Sequence, residues 1–136
     1  MIEPVNPPDW EKPKGYANGM LVDGTRLYTG GQIGWNKDQV FEHLDFVGQL
    51  EQTLANIVSI VHAAGGEVSD IVRLTWFITD KKEYMARQKE VGAAYRKVMG
   101  RHFPSMSVIV VAGLIEDEAM VEIEATAEIG KSAKDA

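Results

Sequence analysis

The chain has 136 residues, 45% of them hydrophobic and 25% charged, the balance of one folded domain large enough to bury a core. Lys and Arg number 14 against 20 Asp and Glu, and the resulting net charge of -6 weighs against a protein whose main task is neutralising phosphates. The absence of cysteine excludes a disulfide scaffold, a thiolate zinc site and a Cys nucleophile. No apolar run approaches the ~20 residues that span a bilayer. The N-terminus has no apolar core after a basic start, so a cytoplasmic protein without membrane contact is expected.

Residues 1–15 hold four of the five prolines, Pro4, Pro7, Pro8 and Pro13. Proline at this density favours an extended, non-helical arm, with Trp10 as the residue to dock it. A single domain is expected over residues 16–129. Met20-Leu21-Val22 and Arg26-Leu27-Tyr28-Thr29 flank Asp23-Gly24, a strong hairpin signal because both central residues of a type I′ turn need positive φ. Gly30, Gly31 and Gly34 then loosen the chain. Val47, Leu50, Leu54, Ile57, Val58 and Val61 recur at three and four residues, the stripe of an amphipathic helix, which Gly65-Gly66 ends. Residues 71–79 are β-branched and aromatic and read as a strand. Asp80, with Glu83 three residues on, has the form of an N-cap and capping box. The helix it opens carries Tyr84, Gln88, Val91, Tyr95, Val98 and Met99 on one stripe, and Phe103-Pro104 breaks it. Two strands follow, at about 106–112 and 119–129. Residues 130–136 lack apolar anchors and are expected to be a disordered tail.

The order β-β-α-β-α-β-β predicts an α+β fold with both helices on one face of one sheet. The last strand places Val121, Ile123, Ala125, Ala127 and Ile129 under the helices. Met120, Glu122, Glu124, Thr126 and Glu128 take the other face. In the middle strand Val72, Leu74, Trp76 and Ile78 form one face, and Ile71, Arg73, Thr75, Phe77 and Thr79 the other. The strand at 106–112 is apolar on both faces. A sheet with helices on one side and apolar residues on the other has a second surface to bury, and self-association is the simplest way to bury it. A solvated face with scattered Val and Ile is the alternative. Arg73 is a candidate ion-pair partner for Glu122 or Glu124.

The element order, Tyr28-Thr29-Gly30-Gly31-Gln32-Ile33, the segment DIVRLTWFITD at 70–80, the Phe103-Pro104 turn and Val121-Glu122-Ile123-Glu124-Ala125 together resemble the Rid family. These are the RidA-type reactive-intermediate deaminases, also called YjgF/YER057c/UK114 proteins. The resemblance runs from about residue 15 to 129. It implies a chorismate-mutase-like fold, a homotrimer built as a barrel with helices outside, and three small-molecule pockets between neighbouring subunits. It also implies hydrolysis of 2-imino acids and their enamine tautomers to 2-keto acids and ammonia, with no cofactor.

Carried over residue by residue, the family's water-holding glutamate falls on Glu122 and the glycine whose backbone faces the ligand on Gly31. The pocket tyrosine falls on Tyr16, and the serine before the glycine is here Gly30. A cysteine-bearing position falls on Val108 and an asparagine of the second helix on Gly92. The arginine that clamps the substrate carboxylate is replaced by Met106. Loss of paired charge-assisted hydrogen bonds should cost about two orders of magnitude in binding, and the sequence in this respect resembles the arginine-lacking subgroups of the family.

Imine hydrolysis needs a positioned water, a proton acceptor and donors for developing charge. Glu122 could hold the water with a pKa raised by burial, or it could be an ion-pair partner of Arg73. Backbone N–H groups at Gly30 and Gly31 could be the donors. His102 could replace part of the missing positive charge at the pocket mouth when protonated, or simply close the second helix; Arg101 has the same ambiguity. Trp10, Trp35 and Trp76 could stack on a ligand, although Trp76 alternates with core positions. Three histidines without ligand spacing predict no metal site. Gly30-Gly31-x-x-Gly34 lacks the helix that a dinucleotide fingerprint opens. Half of the basic residues lie between 81 and 101, but Glu83 and Glu90 dilute them, which suits a solvated helix face better than RNA binding. An enzyme acting on a less carboxylate-dependent enamine or imine is the first expectation, a non-catalytic small-molecule-binding trimer the second, and an RNA-acting protein of the endoribonuclease or translation-inhibitor kind a less favoured third.

Overall fold

The structure, a computed structural model, describes residues 1–130; of the expected C-terminal tail, all but Gly130 lies outside the described residues. Strands β1 (Ile2–Val5), β2 (Gly19–Val22), β3 (Arg26–Thr29) and β4 (Gln32–Ile33) precede helix α1 (Phe46–Ala63). Strand β5 (Ile71–Ile78), helices α2 (Lys81–Ala86) and α3 (Gln88–Met99), and strands β6 (Ser105–Val110) and β7 (Val121–Glu128) follow. The sheet order is β1-β2-β3-β7-β5-β6, with β4 also on β7. Only β5 and β6 run parallel; the other pairs are antiparallel. This is the α+β architecture expected from the element order, with two additional short strands.

Both additions have a local cause. β1 lies within the proline-rich segment and pairs with β2 in full register, Ile2 opposite Val22 and Val5 opposite Gly19. Pro4 is tolerated because β1 is an edge strand. Val5 enters the core, and Trp10 packs against it. β4 is only two residues long, too short for a period to show.

The hairpin between β2 and β3 turns at Asp23 (φ 51°) and Gly24 (φ 73°), and the Thr25 N–H closes it on the Val22 carbonyl at 3.1 Å. Asp45 caps α1 by accepting from the Gly48 N–H, and Gly65 leaves the helix at φ 89°. Asp80 caps α2, accepting from the Glu83 N–H at 3.0 Å. The second helix is two helices rather than one. Arg87, at φ -114° and ψ 27°, breaks it after Glu83 has turned its carboxylate to Arg87 at 3.0 Å.

The faces of β7 follow the alternation: Val121, Ile123, Ala125, Ala127 and Ile129 are all buried. The faces of β5 do so only from Leu74 onward. A bulge between Ile71 and Arg73 shifts the start of the strand by one residue, so Ile71 is buried and Val72 is exposed, the reverse of strict alternation. Phe46, Leu50, Leu54 and Ile57 of α1 fill the core between the helices and Leu74, Ile78, Val121 and Ile123.

α1 also carries a buried polar row, which the apolar stripe does not reveal. Gln49 is fully buried. Its amide donates to the carbonyls of His43 (3.2 Å) and Glu118 (2.8 Å), and its oxygen accepts from the Met120 N–H at 2.8 Å. One side chain thus ties the approach to α1 to the approach to β7. Two turns on, Asn56 donates to the carbonyls of Ile33 and Trp35 at 3.0 and 2.8 Å and so holds β4 onto the helix. An unsatisfied buried polar group costs roughly 1–3 kcal/mol. Gln49→Ala, which orphans three such groups, is expected to lower unfolding free energy by about 2–4 kcal/mol, read from urea denaturation.

Candidate active site

The alternation of β7 puts Glu122 and Glu124 on the face away from the helices. β3 pairs with β7 as far as Tyr28 opposite Thr126, and β4 resumes the ladder at Gln32 opposite Ile123. Between them Gly30 and Gly31 leave the sheet, while Thr29 keeps its pairing with Gly19 of β2. The Thr29 hydroxyl takes over one ladder contact by accepting from the Ala125 N–H at 2.9 Å. Gly31 then passes directly over Glu122. A Cβ on Gly31 would land on the Glu122 carboxylate, with Cδ at 2.7 Å and Cγ at 2.9 Å, so any side chain here would displace that carboxylate from its present position.

The corner is held from behind. The Gly30 N–H donates to the Asn18 carbonyl at 2.7 Å. Asn18 donates its side-chain amide to Asn6 Oδ1 (3.0 Å) and accepts from Gln32 Nε2 (3.2 Å). Tyr16, Gly30, Gly31, Trp35 and Glu122 line a cavity of about 260 Å³ in front of this network. Four residues singled out in the sequence, Tyr16, Gly30, Gly31 and Glu122, therefore meet in one place. Gly30 contributes no free donor, because its N–H is already used; Gly31 is the remaining candidate. Asn6, Asn18 and Gln32 carry no motif of their own, and it is the turn at Gly30 that brings them together.

No ion pair joins Arg73 to Glu122 or Glu124 among the described residues. Arg73 stands opposite Thr126 on β7, four residues from Glu122, and shares a recess with Glu124. Burial first, and the charge of Glu124 second, push the Glu122 carboxyl above its ordinary value.

Met106 and Val108 lie elsewhere. In the parallel pair they stand beside Leu74 and Trp76, on the helix side of the sheet, whereas Glu122 stands beside Phe77 on the open side. Within one chain, the sheet itself separates them. Met106 lines a second cavity with Gly92. His102 faces neither cavity: its Nε2 is 2.7 Å from the Ile71 carbonyl, and its own carbonyl accepts from the Tyr95 hydroxyl at 2.6 Å. It closes α3 onto the sheet instead of standing at the mouth of the Glu122 cavity. The basic residues of α2 and α3 are partly neutralised, Arg87 by Glu83 and Glu90 and Lys97 by Glu51. Among the described residues no group of three or more His, Asp and Glu side chains could hold a metal ion, and no helix is long and apolar enough to cross a membrane.

The family model described as endoribonuclease L-PSP matches residues 11–129. The chain belongs to the Rid/YjgF family. Among the similar proteins is the 2-iminobutanoate/2-iminopropanoate deaminase of Escherichia coli, 36% identical over 115 residues that cover 82% of this chain and 85% of that protein. The crystal structure of the E. coli YjgF gene product superposes with a TM-score of 0.79 at 32% identity, covering 93% of this chain and 98% of that one. E. coli TdcF, crystallised with bound serine, gives a TM-score of 0.78 at 29% identity over the same shares. The fold of this chain is the α+β fold of these Rid/YjgF proteins.

The raised Glu122 carboxyl has a consequence for stability. As pH rises the unfolded chain ionises first, so this group's contribution is most favourable below the ordinary carboxylate range and declines as pH passes through the folded value. Glu122→Gln removes that penalty. It is expected to be more stable than wild type at pH 7, with the gap closing at about pH 3.5, as compared by urea midpoints.

Proposed function

We propose that this protein is a Rid-type hydrolase of reactive enamines or imines. The observation that carries this reading is the Glu122 carboxyl, half-buried, raised in pKa and pressed against the bare backbone of Gly31 in a cavity. A water held by Glu122 attacks the imine carbon, and the carboxylate takes its proton. The proton passes to the nitrogen to give the carbinolamine; the carboxylate then carries the hydroxyl proton to the same nitrogen as the C–N bond breaks, and ketone and ammonia leave. The reaction consumes only water. Similarity to the E. coli deaminase supports this chemistry.

The working unit is a homotrimer with its pockets between subunits. Two features support this. Glu122 and Met106 lie on opposite faces of one sheet, so a site using both needs a second chain. β6 is an unprotected edge strand with Met106, Val108, Ile109 and Val110 36–51% exposed, and Ile115 beyond it is 94% exposed. Such an edge is an aggregation site unless a partner covers it. Val110→Lys is expected to lower the sedimentation mass from three chains to one, because a lysine ammonium is costly to bury.

Met106 sets the substrate. A methionine offers polarizable apolar surface and no charge, so the compact 2-iminopropanoate loses its anchor. A coupled assay tests both halves of the reading, with a dehydratase generating 2-iminopropanoate from serine and keto acid followed over time. Wild type should be slow, Met106→Arg about 10–100-fold faster through restored charge-assisted hydrogen bonds, and Met106→Arg/Glu122→Ala inactive. If the double variant keeps the activity of Met106→Arg, Glu122 is not the water-holding group. If wild type already equals Met106→Arg, Met106 does not set the substrate.

A further inference from the structure

The second cavity, about 220 Å³, lies between α3, β5 and β6 on the helix side of the sheet. Its wall is a run of rings. Trp76 stacks on Tyr95 at 6.2 Å and 25°, and Tyr95 on Phe103 at 5.4 Å and 15°. Such faces suit a flat apolar group. Trp76 is 3% exposed, and its indole N–H has no hydrogen-bond partner. Buried donors are nearly always paired in folded proteins, and this one belongs to a residue that lines the cavity.

The cavity also holds a cation. A Cβ on Gly92 would come within 3.2 Å of Arg96 Nη1 and 3.9 Å of Cζ. The guanidinium therefore lies over the bare backbone of Gly92, one helical turn back, at the cavity that Met106 lines. Arg87 and Lys97 on the same stretch are committed to carboxylates, but Arg96 makes no ion pair among the described residues. Its planar fork is suited to a carboxylate.

We infer that this cavity binds a carboxylate bearing a large apolar or aromatic side chain, with Arg96 supplying the positive charge absent at Met106 and the Trp76 indole N–H a second donor. The inference rests on the reading that Met106 faces the substrate, and it narrows that substrate to bulky 2-imino acids and their 2-keto products. The stacked rings take the side chain, which a methyl group would leave unfilled.

Isothermal titration of the full chain with phenylpyruvate and with pyruvate tests this without any turnover. Phenylpyruvate should bind at least tenfold more tightly. Arg96→Gln, a change at an exposed position, should weaken phenylpyruvate at least tenfold. Trp76→Phe keeps a ring and removes the donor, and should weaken it severalfold. No phenylpyruvate binding, equal affinity for the two acids, or wild-type affinity in Arg96→Gln would each overturn the inference. Binding is independent of Glu122 chemistry. Arg96-dependent binding by a protein that never hydrolyses an imine removes only the catalytic reading, and turnover with Arg96-independent binding removes only this one.

Discussion

The site depends on a few buried amides of α1. Gln49 and Asn56 hold five backbone groups of the segments on either side of the sheet's glycine corner. They add to the two-residue pairing of β4 on β7 and to the Asn18 contacts that hold the corner from behind. Gly34 belongs to the same arrangement: a Cβ there would stand 2.8 Å from Gln49 Cα, so the chain crosses α1 at backbone distance. The helix buries its apolar stripe for stability and spends its polar row on position.

Glu122 is perturbed because of this packing. Its carboxyl is pressed onto a glycine backbone, loses water on that side, and faces the charge of Glu124 two residues along the same strand. Desolvation and like charge act in the same direction. A carboxyl raised in this way costs folding some stability once the unfolded chain ionises. The Asn6–Asn18–Gln32 network braces the backbone of the glycine corner opposite it.

The sheet divides the chemistry between two faces. The open face has the carboxyl, the glycine corner and Tyr16. The helix face has Met106, Arg96 and the stacked rings. An exposed apolar edge strand, β6, lies beside the second set. One chain thus carries a carboxyl recess on one face, a ring-lined recess on the other and an exposed apolar edge beside the second.

Much of this was legible in the residues. The alternation in β7 is strict, so its faces followed directly, and Asp23-Gly24 and Asp80 acted locally as their chemistry requires. The set of Tyr16, Gly30, Gly31 and Glu122 followed from family resemblance, and the structure brings those four together. Features that cross between segments were not legible. The Val72 bulge, strand β1 among prolines and strand β4 each depend on a partner distant in sequence, and no local period records such a partner. For His102 the sequence offered a cation at the pocket mouth or a residue closing the second helix, and the contact with the Ile71 carbonyl favours the second. Composition and periodicity determined which elements form and which faces they bury, because both act over a few residues. Tertiary structure alone decided which polar groups meet, because hydrogen bonds and desolvation depend on distances that only the folded chain sets.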